Sequence, residues 1–284
     1  MKEIFLQHEN EVSSGSRFEF GRNWTAFLSK IESIDVEALK KSIQNLLDLD
    51  DLKGKRFLDI GSGSGIFSLA ALEMGAKVCS FDYDPFSVMC TRNVKHKYAE
   101  NSIDWSIYEG SILDDEFVSK LGKFDVVYSW GVLHHTGNMW KALENAISLV
   151  DRGGKLFIAI YNDQGRVSSY WLAVKKLYNQ LPKFMRWMVV FPSFLRLWGP
   201  TFFRDLIAGA PLKTWRAFGS DRSRGMNPWH DVLDWVGGLP FEVAKPEDIF
   251  NFCKSRDLVL EKITTCAGGI GCNEFVFQKI SMSK

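Results

Sequence analysis

An α/β architecture, a largely parallel sheet wound with helices on both faces, is predicted by three features of the sequence. Short apolar runs alternate with helical patterns over residues 55–161, and such alternation belongs to parallel sheets. The first run, Arg56–Ile60, carries Asp59 and opens directly into Gly61-Ser62-Gly63-Ser64-Gly65. The second, from Lys77, ends in another acid, Asp82, twenty-three residues after Asp59. A strand, a tight glycine turn, a helix and a carboxylate-tipped second strand describe a site for a nucleoside-bearing ligand.

The elements follow in order. Residues 1–52 form a helical N-terminal extension with an aromatic patch (Phe18, Phe20, Trp24, Phe27, Leu28), and Asp35 is a fitting N-cap for a helix that uses Leu39, Ile43, Leu46 and Leu47. The core, 53–162, contains strands over Arg56–Ile60, Lys77–Asp82, Asp104–Glu109, Phe124–Tyr128 and Lys155–Tyr161. Helices are expected at Ile66–Met74, Pro85–Tyr98 and Met139–Val150, the last with apolar residues at 139, 142, 143, 146, 147 and 150. Residues 163–245 break the pattern. Within 246–284 a helix near Pro246–Ser255 precedes strands at Leu258–Thr265 and Glu274–Lys279.

A chain of 284 residues, 46% hydrophobic and 24% charged, can bury a full core. Its formal charge of +1 gives no general attraction for nucleic acid. The five cysteines lack metal-ligand spacing, and their odd number fits a reducing compartment. Met1 to Glu11 is polar, without the apolar stretch of a signal peptide, so the expected location is cytoplasmic.

The chemistry of the glycine turn narrows the ligand. Glycine adopts positive φ cheaply and lets a ligand approach the backbone. The following helix directs free N–H groups to the same place, and a carboxylate on the next strand suits a ribose diol. The dinucleotide fingerprint, however, places its third glycine five positions after the first. Here the glycines are 61, 63 and 65, with Ile66 at that position. An acid before the turn suits an ammonium or sulfonium better than a pyrophosphate, so the pattern favours a cationic amino-acid cofactor over NAD.

Asp59-x-Gly61-x-Gly63-x-Gly65 with Asp82, the run Asp125-Val126-Val127-Tyr128-Ser129-Trp130-Gly131-Val132-Leu133-His134-His135, and Val150-Asp151-Arg152-Gly153-Gly154-Lys155-Leu156-Phe157-Ile158 resemble the class I S-adenosylmethionine-dependent methyltransferases over roughly residues 52–162. The resemblance implies a Rossmann-like seven-stranded sheet whose last strand is antiparallel, with 163–245 inserted before the last two strands as a lid. It implies that Gly61, Ser62, Gly63 and Gly65 hold the methionine part of S-adenosyl-L-methionine, with Asp59 near the amino group. Asp82 would bind the ribose, Tyr83 pack on adenine, and Ser111 and Ile112 contact adenine. Many members carry an acid at the Ser111 position, so Asp114 is an alternative partner for the adenine amino group. Trp130 and Gly131 would lie under the sulfonium, and Phe20 and Trp24 would close over the cofactor.

A methyl group on a sulfonium is already activated, so the protein must align the acceptor and exclude water. A base is needed only where the acceptor must lose a proton. His134 and His135, just past the fourth strand, are candidates, although adjacent side chains point in different directions. A further candidate, His230, lies in Arg224-Gly225-Met226-Asn227-Pro228-Trp229-His230-Asp231. For each histidine, loop architecture is the alternative reading. Tyr161 and Asn162 occupy the crevice at a strand end and, with Trp229, are candidate acceptor contacts. Ser129-Trp130-Gly131-Val132 stands where base-modifying members carry Asn/Asp-Pro-Pro-aromatic, and no acidic metal ligands follow strand four. What remains is a metal-independent enzyme for a small-molecule or lipid-like acceptor, methylated at oxygen before nitrogen or carbon.

The insertion is unusually aromatic, with Tyr178, Phe184, Trp187, Phe191, Phe194, Trp198, Phe202, Phe203, Trp215 and Phe218 inside 41 residues. Lys183, Arg186, Arg196, Arg204, Lys213 and Arg216 face one acid, Asp205. The spacing 184, 187, 191, 194, 198 predicts one helical face, with Pro192 starting a new helix or kinking this one. One reading is a lid with its own satellite core. Another is peripheral contact with anionic lipid through residues 183–216, and a homodimer through the same surface is a third. A non-enzymatic cofactor-binding scaffold and an NAD-dependent oxidoreductase are the competing functions, the latter at odds with the glycine spacing.

Overall fold

The computed structural model describes residues 2–29, 33–221 and 228–280. Seven strands form one sheet: β1 Arg56–Ile60, β2 Lys77–Asp82, β3 Trp105–Glu109, β4 Phe124–Trp130, β5 Val150–Tyr161, β6 Leu258–Thr264 and β7 Cys272–Lys279. Their order is β3-β2-β1-β4-β5-β7-β6. β7 runs antiparallel to both neighbours, and the other pairings are parallel. The chain order therefore reverses beside β1, where β1 lies between β2 and β4, and open α/β sheets bind ligands at such a point.

Three helices precede the sheet: α1 Lys2–Ser13, α2 Phe20–Leu28 and α3 Val36–Leu47. Asp35 caps α3, accepting from the Ala38 N–H at 3.0 Å. α4 Ile66–Glu73 and α5 Pro85–Ala99 link the first strands, followed by α6 Asp115–Leu121 and α7 Met139–Leu149. Two apolar layers sandwich the sheet. One gathers Leu58, Val127, Leu143 and Phe275, and the other Phe57, Leu69, Trp105 and Phe157. β1 and β4 are buried on both faces, as central parallel strands are.

Three strands outrun the sequence expectation, β7 by starting at Cys272 instead of Glu274. β4 continues to Trp130 because Ser129 and Trp130 still pair with Ile158 and Ala159. β5 begins at Val150, opposite Phe124, and the register then shifts to Val126 opposite Lys155. That irregularity absorbs the turn at 151–154, which the sequence places outside the strand.

The insertion comprises α8 Arg166–Gln180, α9 Trp187–Ile207, α10 Lys213–Asp221 and α11 Pro228–Gly237; α12 Pro246–Lys254 leads into β6. Its base is tied to the sheet by a bridge between Asn162 and Ala244. Pro192 does not start a new helix: α9 runs through both Pro192 and Pro200, which leaves the kinking alternative. A proline inside a helix removes one hydrogen bond and bends it, and the buried face shifts from Val189, Val190 and Ser193 to Trp198 and Asp205.

The single aromatic face is corrected as well. Tyr178, Phe194, Trp198, Phe202 and Trp215 belong to a satellite core with Trp171 and Val236, whereas Phe184, Trp187, Phe191 and Phe203 are exposed. The Phe218 side chain lies outside the described residues. Among the described residues, no helix is long and apolar enough to cross a membrane.

Candidate active site

A cavity of about 970 Å³ opens at the carboxyl ends of β1, β2, β4 and β5. Its floor at one end is the glycine turn. Gly61, Gly63 and Gly65 have φ of 71°, 54° and 79°, the left-handed region that favours glycine. A Cβ on Gly61 would stand 2.4 Å from Cγ1 of Val132, so the turn also needs the missing side chain for packing.

Two carboxylates flank the turn. Asp59 is buried and accepts from Ser68 Oγ at 2.5 Å. Ser68 bonds Ser80 at 2.6 Å, and Ser80 accepts from the Trp105 indole at 2.8 Å, so a buried relay fixes the Asp59 carboxylate. Asp82 accepts from the backbone N–H of Gly63 and of Asp84, both at 2.9 Å. Burial, reinforced by the like charge of Asp84, pushes the Asp82 carboxyl up to about 7 despite those donors. Burial alone would raise Asp84 too, but His8 and the N–H groups of Gly21 and Phe86 outweigh it, holding that carboxyl below its usual range.

α2 covers this end. Gly21 N–H donates to Asp84 at 2.6 Å, and a Cβ on Gly21 would meet Ser87 N at 2.5 Å, so α2 and α5 touch backbone to backbone. Phe20 and Trp24 thereby reach the cavity. The far end is walled by Tyr161, Leu197, Trp198, Thr201, Asp234 and Trp235. Asp234 accepts from Asn23 at 2.6 Å, which joins α11 to α2.

The residues singled out from the sequence divide as follows. Phe20, Trp24, Asp59, Gly61, Ser62, Gly63, Asp82, Tyr83, Ser111, Ile112, Trp130, Gly131, His135 and Tyr161 line the cavity. Asp114 lines it too while capping α6 through the N–H groups of Glu116 and Phe117. Gly65, His134, Asn162, Trp229 and His230 are not among the lining residues. Gly65 packs against Thr91 and starts α4. Asn162 bonds Asn273 at the base of the insertion. Trp229 is partly exposed against Phe194, and His230 is buried on the same helix. Arg224, Gly225, Met226 and Asn227, read from the sequence as part of the His230 loop, lie outside the described residues.

The adjacent histidines are turned apart. His134 is buried, its Nδ1 accepting from the Tyr161 N–H at 3.3 Å and its ring tilted by 34° against that of Tyr161, centroids 3.8 Å apart. His135 lies 2.6 Å through Nδ1 from the Pro240 carbonyl, which can only accept, so Nδ1 carries the proton. Burial and the nearby Lys175 push His135 down to about 3, against the pull of that carbonyl. Lys175 is itself fully buried, bonded to the Trp235 carbonyl and set among the rings of Tyr161, Trp235 and Phe241. Burial lowers it to about 7, with Asp234 opposing.

Sequence reasoning missed His8, Glu11 and Arg17 from the N-terminal segment, Leu197 and Thr201 from α9, and Asp234 and Trp235 from α11; Trp198 and Asp231, noted in the insertion without a place in the site, line the cavity as well. The pair Asp231 and Asp234, three apart, carried a usable signal, since that spacing shares a helix face. The pocket suits a cationic nucleoside. Asp82 is buried beside Asp84 and Asp59, all of one sign, and a ligand bringing hydroxyl donors and positive charge relieves that repulsion.

Residues 31–204, well over half of the chain, match the methyltransferase domain family, and the chain belongs to that family. A ubiquinone biosynthesis O-methyltransferase from Coxiella burnetii is 28% identical over 133 residues, 46% of this chain and 55% of that protein. One from Xanthomonas oryzae is 29% identical over 112 residues, 39% of this chain and 45% of its own length. The matches thus span about half the length of these relatives. In fold, the chain is similar to magnesium protoporphyrin IX methyltransferase from Synechocystis, solved with bound S-adenosylhomocysteine: TM-score 0.53, 13% identity, 91% of this chain and 93% of that one. An O-methyltransferase family protein from Burkholderia thailandensis gives a TM-score of 0.52 at 13% identity, covering 87% and 58%.

Proposed function

We propose that this protein transfers a methyl group from S-adenosylmethionine to an oxygen of a small-molecule or lipid-like acceptor, without a metal. One observation carries the reading: a single cavity joins the glycine turn, Asp59 and Asp82 to an aromatic chamber formed by Tyr161, Trp198 and Trp235. The similarity to O-methyltransferases from Coxiella and Xanthomonas supports oxygen as the acceptor atom.

When bound, S-adenosylmethionine supplies a methyl group already activated by its sulfonium. Asp82, once ionised, would accept from the ribose hydroxyls, and Asp59 would hold the amino-acid end. Tyr83, Ser111 and Ile112 would bound the adenine, and Trp130 and Gly131 would flank the sulfonium end. Phe20, Trp24 and α11 exclude water, leaving alignment as the main source of rate. We assign His135 to the acceptor. With the proton on Nδ1, its Nε2 is an acceptor for a hydroxyl hydrogen, and its low affinity for a second proton makes it an orienting group.

Calorimetry with S-adenosylhomocysteine, followed by labelled-methyl transfer into an extract of amphiphilic metabolites, tests the proposal. Micromolar binding, lost in Asp82→Ala, together with a labelled product, is the expected result. A folded protein that gives no heat overturns it; binding without any labelled product points to a scaffold instead.

A further inference from the structure

α9 has two faces with different surroundings. Leu197, Trp198 and Thr201 look into the acceptor end of the cavity. On the outside, Trp187, Met188, Phe191, Leu195, Phe203 and Leu206 are each 50–65% exposed. At a rise of about 1.5 Å per residue, a helix of this length offers an apolar stripe about 30 Å long. A stripe of that size on a folded protein marks a surface that meets something.

Charge distinguishes among occupants. Lys183, Arg196, Arg204, Lys213 and Arg216 are exposed in and beside α9, Arg196 over the Tyr170 ring and Arg204 donating to the Thr214 hydroxyl. Asp205, the sole acid between 183 and 216, is buried and accepts from the N–H and the hydroxyl of Thr214, both at 2.8 Å. The exposed surface of this stretch is therefore apolar and basic, with no accessible carboxylate. A symmetric dimer through α9 would bring cations against cations, because a two-fold interface meets itself. Anionic lipid offers what the surface lacks: headgroup charge for the arginines and lysines, and acyl chains for the rings. An exposed tryptophan at one end of the helix suits the headgroup boundary.

We propose that the outer face of α9 docks on an anionic phospholipid bilayer, lying in the plane of the interface. The acceptor end of the cavity, one helix thickness away, then faces the membrane. This deepens the functional reading by naming the partner of the acceptor end, and rests on it only for the identity of that cavity.

Co-sedimentation of the full chain with phosphatidylcholine vesicles, with and without phosphatidylglycerol, tests it. Binding is expected on the anionic vesicles, falling at least ~10-fold on neutral ones and weakening as salt rises. Phe191→Glu/Leu195→Glu should abolish it, and the milder Arg196→Gln/Arg204→Gln should reduce it ~10-fold or more. Melting curves report whether each variant is folded, and the arginine pair, exposed at both positions, covers the case where the first variant is not. Absence of wild-type binding to anionic vesicles overturns the inference. So does unchanged binding by both variants, or light scattering that shows a dimer dissolved by Phe191→Glu/Leu195→Glu. S-adenosylhomocysteine calorimetry on the same samples separates the two proposals. Wild-type protein that binds the nucleoside but not anionic vesicles sinks the membrane docking alone, and wild-type protein that binds the vesicles but gives no heat with the nucleoside sinks the functional reading alone.

Discussion

Asp82 accepts two backbone hydrogen bonds yet stands among carboxylates of its own sign, and burial lifts it to about 7. A ribose diol needs the ionised form, so below pH 7 a proton competes with the ligand. Affinity for S-adenosylhomocysteine should rise about tenfold per unit between pH 5.5 and 7 and level off above it. Calorimetry across that range, flat in Asp82→Asn, checks the assignment. Lys175 gives the opposite kind of test. Its folded pKa, about 7, lies below the usual 10.5, so between those values the unfolded chain binds more protons and stability rises with pH. Melting temperature should climb from pH 7 to 9, and Lys175→Met should flatten that climb and raise the value at pH 7. Asp59, Gly61 and Asp82 were legible in the sequence because their spacing is local. Lys175 was not, since its burial arises only when α8 meets α11. Nor could spacing alone tell His134 from His135; one packs its ring against Tyr161, and the other reaches the cavity.

Two close approaches hold the elements around the site. Gly61 at φ 71° faces Val132, so Gly61→Ala should cost roughly 1–3 kcal/mol in denaturant melts and weaken nucleoside binding at least ~10-fold. Adding Val132→Ala should recover only part of the loss, because the dihedral penalty stays. Gly21 lets α2 lie on α5. Gly21→Ala should lift α2, raising the Kd for S-adenosylhomocysteine while leaving the sheet folded by circular dichroism. The strands were readable from apolar runs, and α3 from Asp35. α1 and α2 fall in the extension read as helical, but their bounds were not legible because polar residues and scattered aromatics obscure their period, and their packing on the cavity arises only in the fold. In α9, the sequence left open whether Pro192 restarts or kinks the helix, and the helix runs on through it.

The sheet order and the cavity belong to the whole chain. Alternation of elements implies a parallel sheet, but the order β3-β2-β1-β4-β5-β7-β6 was accessible only through resemblance, since no local pattern encodes which strand neighbours which. A ligand that bridges β1, β2 and α2 should stabilise the molecule as one body. At 100 times its Kd, S-adenosylhomocysteine adds about 2.7 kcal/mol, or roughly 5–10 °C in melting temperature, and an unchanged melt at that concentration contradicts the site. The stem of the insertion has a consequence of its own. Asp163 N–H donates to the Ala244 carbonyl at 3.1 Å, and Ala244 N–H to the Tyr161 carbonyl at 3.0 Å. The chain thus comes home beside the point where it set out, pinched shut like a drawstring. Lengthening or exchanging what hangs from that knot costs little closure entropy and leaves the strands in step, so one nucleoside machine could be refitted for new guests by changing its purse.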